Sequence, residues 1–153
     1  MTRTHTRIIV TFGIVLSALA LIAFALSQFA VDASLRDWYD GDRGYQTALE
    51  LQKTSSKPIA LFFHTDWCSS CKKLRETVLS SREFERYLEN VIPVKVNPEN
   101  SVATRKIADK FGVVGYPTFL IIRNNARDVV RIGTSQNMTP EKFIELCEKA
   151  INA

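Results

Sequence analysis

The chain has 153 residues, which gives room for one folded domain of ordinary size and a short additional segment. Because 46% of the residues are hydrophobic and 24% are charged, the composition excludes an intrinsically disordered protein. The net charge of +4 is modest, and no basic stripe with interleaved aromatic residues occurs, so we predict no nucleic-acid partner. Three cysteines are too few for a disulfide scaffold in a domain of this size.

Residues 8–30 form an uncharged apolar run that follows Arg3 and Arg7 and ends before Asp32. At about 1.5 Å per helical residue, this run can span a hydrocarbon core of about 30 Å. We therefore predict that residues 1–30 are a transmembrane signal anchor that contacts the membrane through the apolar run, and a cleaved signal peptide remains the alternative. Both place the basic end in the cytoplasm and export the chain that follows.

Residues 31–43 contain four Asp residues and Gly41, and Gly44 follows directly, which predicts a linker or an irregular lead-in. Within it, we expect the aromatic side chains of Trp38 and Tyr39 to dock onto the domain that follows. That domain is predicted to occupy residues 44–153.

The remaining chain alternates predicted helices and strands, an order that suits an α/β fold with a central mixed β-sheet flanked by helices. Caps support several helices, such as Thr139 before Pro140, and Ser80 with Glu83 three residues later. In chain order the prediction is helix 45–53, strand 59–63, a helix from the cysteine pair to residue 79, helix 80–88, strand 91–96, helix 101–111, strand 119–122, hairpin strand 129–132 and a last helix from residue 140.

Cys68 and Cys71 stand three residues apart, directly after the strand predicted at 59–63 and at the start of a helix. Two cysteines at this spacing lie nearly above one another and can form a disulfide without backbone distortion. At a helix N-terminus, free N–H groups and the helix dipole stabilise an anion, so Cys68 is the expected attacking thiolate. Cys71, one turn further in, is the expected resolving thiol.

Charged and aromatic neighbours modulate this site. Lys72 and Lys73 add positive potential near the expected thiolate, whereas Asp66 opposes it. Trp67 offers an apolar wall beside the reactive sulfur.

Other uses of the cysteine pair stay open at this point. A zinc site would need more ligands than His64, which is the only other nearby candidate, so we predict no metal site. A Cu(I) carrier using both thiolates and a plain structural disulfide are the remaining alternatives.

The segment from Phe62 to Lys72 and the later run Tyr116-Pro117-Thr118 together resemble the thioredoxin superfamily. Within it, the chain looks most like the exported branch that includes the periplasmic C-terminal domain of the thiol:disulfide interchange protein DsbD. The resemblance implies a thioredoxin-like fold and a cis peptide bond before Pro117, next to the disulfide. It also implies that the Tyr116 backbone pairs with a bound substrate chain in strand fashion.

The resemblance further implies a thiol–disulfide oxidoreductase whose only redox group is the Cys68–Cys71 pair, with no other cofactor. Its substrate-binding residues would be Trp67, Tyr116, Pro117 and Thr118. Its partners would be cysteine-containing proteins and a membrane or periplasmic thiol electron donor. Its location would be the periplasmic side of the inner membrane.

One position departs from the family pattern. Thioredoxin-like reductases commonly carry a buried Asp six residues before the first cysteine, and this chain has Phe62 there. Glu76 is no substitute, because five helical residues turn it away from Cys71. We interpret His64 as a packing or surface histidine. Cys147, on the apolar face of the last helix, is expected to act as a small hydrophobic residue.

Two hypotheses follow for the function. The first is an exported oxidoreductase that exchanges the Cys68–Cys71 pair with protein cysteines, with reduction favoured because Ser69-Ser70 lacks the histidine of strongly oxidising relatives. The second is a Cu(I)-handling or client-binding module that has the same fold without turnover.

Overall fold

The structure is a computed structural model that describes residues 15, 17–22, 35, 37–123, 127–135 and 137–153. The chain divides into two compact units, Met1–Ala33 and Ser34–Ala153. In the first unit, the described residues are helical and exposed. The predicted anchor or signal segment otherwise lies outside the described residues, and no helix within them has the length and hydropathy that a membrane span requires.

The second unit is built on a mixed sheet that has five strands within the described residues. The strands are β1 Tyr39–Asp40, β2 Ile59–Phe63, β3 Ile92–Val96, β4 Thr118–Arg123 and β5 Asp128–Ile132. Their order in the sheet is β1-β3-β2-β4-β5, with β3 parallel to both of its neighbours and β4 antiparallel to both of its own. This arrangement confirms the predicted thioredoxin-like α/β fold.

Helices cover both faces of the sheet, as the separate clusters of buried residues on each face require. The helix Ser69–Leu74 continues without a break into a π-helical turn at Arg75–Leu79. The helices are α1 Gly41–Ser55, α2 Ser69–Leu74, α3 Arg82–Leu88, α4 Val102–Lys110 and α5 Pro140–Asn152.

The lead-in predicted for residues 31–43 is wrong at its C-terminal end. Tyr39 and Asp40 form the edge strand β1, which pairs with Val94 and Lys95 of β3, and α1 begins at Gly41 rather than at residue 45. The strand and helix pack closely, because a Cβ added at Gly44 would lie 2.7 Å from the Tyr39 carbonyl carbon. Glycine and aspartate have low helix propensity, so the sequence pattern hid this start.

Trp38 docks onto the domain as predicted. Its side chain is 4% exposed and its ring contacts those of Phe62, Phe84 and Phe119, with centroids 6.3 to 6.5 Å apart. These rings belong to the larger core cluster, which also contains Cys68 and Cys71. One face of the sheet therefore supports the cysteine pair with a continuous aromatic layer.

The π turn shifts the start of the next helix. The Ser80 N–H donates to the Arg75 carbonyl at 3.0 Å, an i to i−5 bond that adds one residue to the turn. The cap of α3 is consequently Ser81, whose hydroxyl accepts from the Phe84 N–H at 3.1 Å. The predicted cap at Ser80 is wrong by one residue.

Candidate active site

Cys68 and Cys71 form a disulfide with a Cα–Cα distance of 5.2 Å. Cys68 is the N-cap of α2, with an extended backbone, and the Cys71 N–H donates to its Sγ at 3.1 Å. The Cys68 side chain is 6% exposed, whereas Cys71 is fully buried. Cys68 is therefore the more accessible of the two cysteines.

The surroundings of Cys68 Sγ fit a thiolate. A helix N-terminus presents unpaired N–H groups, and one of them already points at this sulfur. Such donors stabilise the ionised form of a cysteine over the neutral thiol. The buried position of Cys71 suits a thiol that acts only after a bond to Cys68 has formed.

The loop before the cysteines is held by the loop that follows β3. The Asn97 amide donates to Asp66 at 3.4 Å, and the Trp67 indole N–H donates to the Glu99 carboxylate at 3.0 Å. Trp67 is 69% exposed and meets the Tyr116 ring edge to face, with centroids 6.2 Å apart. Trp67 thus links the cysteine loop to the loop that carries Pro117.

The Tyr116–Pro117 peptide bond is cis, as the resemblance implied. Within the part of the chain that the structure describes, the Tyr116 backbone makes no hydrogen bond. Thr118 is buried, and its hydroxyl donates to the Gly115 carbonyl at 2.8 Å. Of the four residues predicted to bind substrate, Thr118 is therefore turned into the protein.

Arg131 of β5 holds this loop from the side. Its Nη1 donates to the Thr118 hydroxyl at 3.0 Å, and its Nη2 donates to the Phe111 and Gly112 carbonyls, each at 3.3 Å. Sequence reasoning missed both Arg131 and Glu99. Their partners lie 13 to 32 residues away along the chain, so no local pattern marks them.

The space beneath the cysteine pair is apolar. Phe62 is fully buried in the same core cluster as both cysteines, so no carboxylate occupies its position. His64 stacks on Phe62 with ring centroids 5.3 Å apart, and is 9% exposed. Burial lowers the pKa of His64, and the Arg75 guanidinium lowers it further. His64 is thus the packing histidine that the sequence predicted.

Two other predicted features are confirmed. Glu76 is exposed and lies 3.8 Å from the Lys72 ammonium, away from the buried Cys71. Cys147 is free and fully buried in the core cluster. Burial raises the pKa of the Cys147 thiol to about 12, so it stays protonated and behaves as a small apolar group.

Among the described residues, no group of three or more His, Cys, Asp and Glu side chains is arranged to hold a metal ion. Both ring nitrogens of His64 are buried without a hydrogen-bond partner in the described part of the chain.

A cystine that caps a helix beside a cis-proline loop, on a mixed sheet of this order, defines a thioredoxin-fold protein with a Cys-x-x-Cys site. The chain belongs to the thioredoxin-like family, because the family model described as a thioredoxin-like domain matches residues 45–151.

Curated relatives carry the same type of domain. The chain is 30% identical over 99 residues to the disulfide bond reductase DsbH of Chlamydia pneumoniae, an alignment that covers 58% of this chain and 60% of the relative. It is 24% identical over 96 residues to the thiol:disulfide interchange protein DsbD of Yersinia pestis, covering 62% of this chain and 16% of the relative. The chain thus spans less than two thirds of the length of these relatives.

Solved structures share the fold. A DsbH oxidoreductase superposes with a TM-score of 0.66 at 24% identity, covering 76% of this chain and 84% of that one. The oxidised C-terminal domain of Neisseria meningitidis DsbD gives a TM-score of 0.61 at 21% identity, covering 74% and 98%. A thioredoxin from Thermus thermophilus gives 0.60 at 22% identity, covering 74% and 85%.

Proposed function

We propose that the protein is an exported thiol–disulfide oxidoreductase that reduces disulfides of client proteins through Cys68 and Cys71. The observation that carries the proposal is the asymmetry of the pair. The accessible sulfur, Cys68 Sγ, caps a helix and accepts the Cys71 N–H at 3.1 Å, whereas Cys71 is fully buried. An activated attacking thiol and a shielded resolving thiol need this asymmetry.

The proposed reaction has two exchange steps. In the first, the Cys68 thiolate attacks one sulfur of the client disulfide, which forms a mixed disulfide and releases the other client sulfur as a thiolate. In the second, the Cys71 thiol loses its proton and attacks Cys68 Sγ. The client leaves as a dithiol after protonation, and the protein retains the Cys68–Cys71 disulfide. Two electrons pass from the protein to the client.

Among the residues that the structure describes, no buried carboxylate is present to take the Cys71 proton, and Phe62 fills the position where relatives carry an Asp. The proton therefore goes to water or to the departing client thiolate. On this basis, the second step should depend more on the client than it does in relatives that carry the Asp.

The client would bind across Trp67, Tyr116 and Pro117. The unpaired backbone of Tyr116 is free to hydrogen-bond an extended client segment, as an added strand does at a sheet edge. The exposed Trp67 ring offers apolar contact area beside Cys68. Thr118 would contribute indirectly, because its hydroxyl is committed to Gly115 and Arg131.

Export and the direction of electron flow rest on sequence. The apolar run at residues 8–30 supports a location on the periplasmic side of the inner membrane, with an anchor or a cleaved signal. A reductase in that compartment needs a membrane or periplasmic thiol donor to restore its dithiol. The name of the Chlamydia pneumoniae relative, disulfide bond reductase, supports the same direction.

An insulin assay tests the activity. Dithiothreitol reduces insulin in the presence of the full chain, and the turbidity that develops gives the rate. The unmodified protein should accelerate the reaction, and Cys68→Ser and Cys71→Ser should each abolish the acceleration. Cys147→Ala, a matched cysteine variant outside the site, should retain it. Absence of turnover, together with tight Cu(I) binding that needs both site cysteines, would favour the metal-handling module instead.

Client exchange has its own test in cell extracts. A Cys71→Ala variant should accumulate covalent complexes that dithiothreitol releases, because the mixed disulfide on Cys68 cannot be resolved. The Cys68→Ala variant is the control and should trap none. If neither variant traps a protein, protein cystines are not the substrate.

The reduction potential tests the direction. A reduction potential of about −270 mV is typical of a reductant such as thioredoxin, and a potential of about −120 mV is typical of a strong oxidant. We expect the former range. A value near the latter would reverse the assignment to an oxidase.

A further inference from the structure

A small pocket lies beside the cystine, between the outer face of the cystine helix and the loop after β5. Its volume is about 130 Å³. The apolar part of its lining comes from Leu74 and the cis residue Pro117. Its polar lining residues are one lysine and four residues that carry hydroxyl groups, namely Lys73, Ser70, Thr77, Thr134 and Ser135.

The polar lining favours an anion. The lining residues include a cation and hydroxyls, which can all donate hydrogen bonds, and no carboxylate. Lys73 has no ion pair or side-chain hydrogen bond within the described residues, whereas the neighbouring Lys72 lies 3.8 Å from Glu76. The Thr77 hydroxyl donates to the Lys73 carbonyl at 2.9 Å, whereas the hydroxyls of the other three residues make no hydrogen bond within the described part of the chain.

The position of the pocket relates it to the cysteine that a client presents. Ser70 and Lys73 lie one turn apart on α2, and Thr77 lies in the π turn that continues it, so the lining extends about 10 Å along this helical segment from a point between the two cysteines. An extended chain covers that length in about three residues. A client whose cysteine meets Cys68 Sγ would therefore bring a residue two to four positions away over the pocket.

We propose that this pocket is a carboxylate subsite, in which Lys73 binds an acidic side chain located within about four residues of the client's reactive cysteine. The inference rests on the proposed function and adds a substrate class to it. Clients with Glu or Asp at that distance react faster than clients with the corresponding amides. The shared wall at Pro117 joins the pocket to the surface where the client backbone lies.

Matched peptide disulfides test the subsite. Two peptides carry one cysteine each and differ only at a position three residues from it, where one has Glu and the other Gln. In both, the cysteine is joined by a disulfide to the uncharged thiol 2-thiopyridine. The reduced full chain releases this thiol, and its absorbance gives the rate. The unmodified protein should react about two to five times faster with the Glu peptide at low salt, which is the range of an exposed ion pair. Added salt should reduce this ratio.

Variants locate the effect. Lys73→Met, which retains the apolar stem, should bring the Glu-to-Gln ratio to about one, and Lys73→Glu should invert it. Lys72→Met is the matched control and should keep the ratio of the unmodified protein, because Lys72 does not line the pocket. Comparing the ratio within each variant cancels any general change in Cys68 reactivity.

The outcomes separate the two proposals. If neither peptide is reduced, the proposed function itself fails. If both are reduced equally by the unmodified protein, or if Lys72→Met removes the preference as well as Lys73→Met does, the subsite is wrong and the function stands. A further comparison uses glutathione disulfide and its ethyl ester, which lacks the free carboxylates. If Lys73 affects only the difference between these two substrates, the pocket binds the carboxylate of a small thiol and not that of a polypeptide.

Discussion

The indole N–H of Trp67 lies 3.1 and 3.0 Å from the two oxygens of the Glu99 carboxylate. Trp67 is otherwise exposed beside Cys68, so this bond and the edge contact with Tyr116 are what orient the ring. Glu99 itself is held by its neighbour Asn97, whose side-chain oxygen accepts the Glu99 N–H at 2.9 Å. A residue far from the cysteines in sequence thus orients the aromatic wall of the site.

Removal of the Glu99 carboxylate should slow client reduction. In Glu99→Leu the indole N–H loses its acceptor and the ring loses its fixed orientation. We therefore expect kcat/KM for a protein disulfide to fall about two- to tenfold. This fall corresponds to the loss of one hydrogen bond of about 0.5–1.5 kcal/mol. The comparison is with Glu89→Leu, at another exposed position away from the site. Equal rates for the two variants would contradict an orienting role.

Replacement of Arg131 by Lys should destabilise the fold although the charge is retained. Lysine cannot contact the Thr118 hydroxyl and the Phe111 and Gly112 carbonyls together as the guanidinium fork does. We expect the free energy of unfolding in urea to fall by about 1–2 kcal/mol. Arg105→Lys, on the exposed side of α4, should change it little, and a similar loss in both variants would contradict this account.

Acidification should weaken the fold through His64. Burial and the charges of Arg75 and Lys95 lower its pKa below the ordinary value of 6.5, against the opposite effect of Asp66 and Asp40. The unfolded chain therefore binds a proton more readily than the folded chain. The stabilisation is complete above pH 6.5 and is lost as the pH falls from there through the folded-state pKa.

The measurement is urea unfolding at a series of pH values. Just below pH 6.5, the free energy of unfolding should decline with a slope contribution of up to about 1.4 kcal/mol per pH unit from this one proton. A His64→Phe variant, which keeps the aromatic stack on Phe62 and cannot be protonated, should show a flatter profile. Identical slopes in the two proteins would exclude His64 as the source.

Alkylation should distinguish the three cysteines of the reduced protein. Cys68 should react first with N-ethylmaleimide at pH 7 and Cys71 more slowly, because only Cys68 is accessible. Cys147 should react only after unfolding, since its side chain is fully buried and burial raises the pKa of its thiol to about 12. Mass spectrometry of peptides from native and urea-treated samples gives the order. Native modification of Cys147 would contradict its assignment to the core.

Elements with strong local signals were predictable from sequence. Strand β2 has the predicted bounds Ile59–Phe63, because Pro58 and His64 delimit a fully apolar run. Helix α5 starts at Pro140 after the predicted cap, and the Thr139 hydroxyl accepts the Lys142 N–H at 3.3 Å. In both cases the residues that define the element lie within a few positions of one another.

Features that depend on distant partners were not predictable. β1 is a strand only because β3 lies beside it, and a segment of two residues has no periodicity to detect. The cap lies at Ser81 because of the π turn before it, and no local sequence pattern predicts that turn. In the site, the cysteine pair and Pro117 belong to recognisable sequence motifs. Glu99 and Arg131 belong to no such motif, and only the tertiary fold places them at the site.

The contacts of Arg131 also have a mechanical consequence. This residue belongs to β5, one of the two edge strands of the sheet within the described residues, and its guanidinium joins that strand to the C-terminal end of α4 and to Thr118, the first residue of β4. The guanidinium is one planar group, so the position of the β5 edge and the position of the Thr118 hydroxyl, next to the cis Pro117, depend on each other.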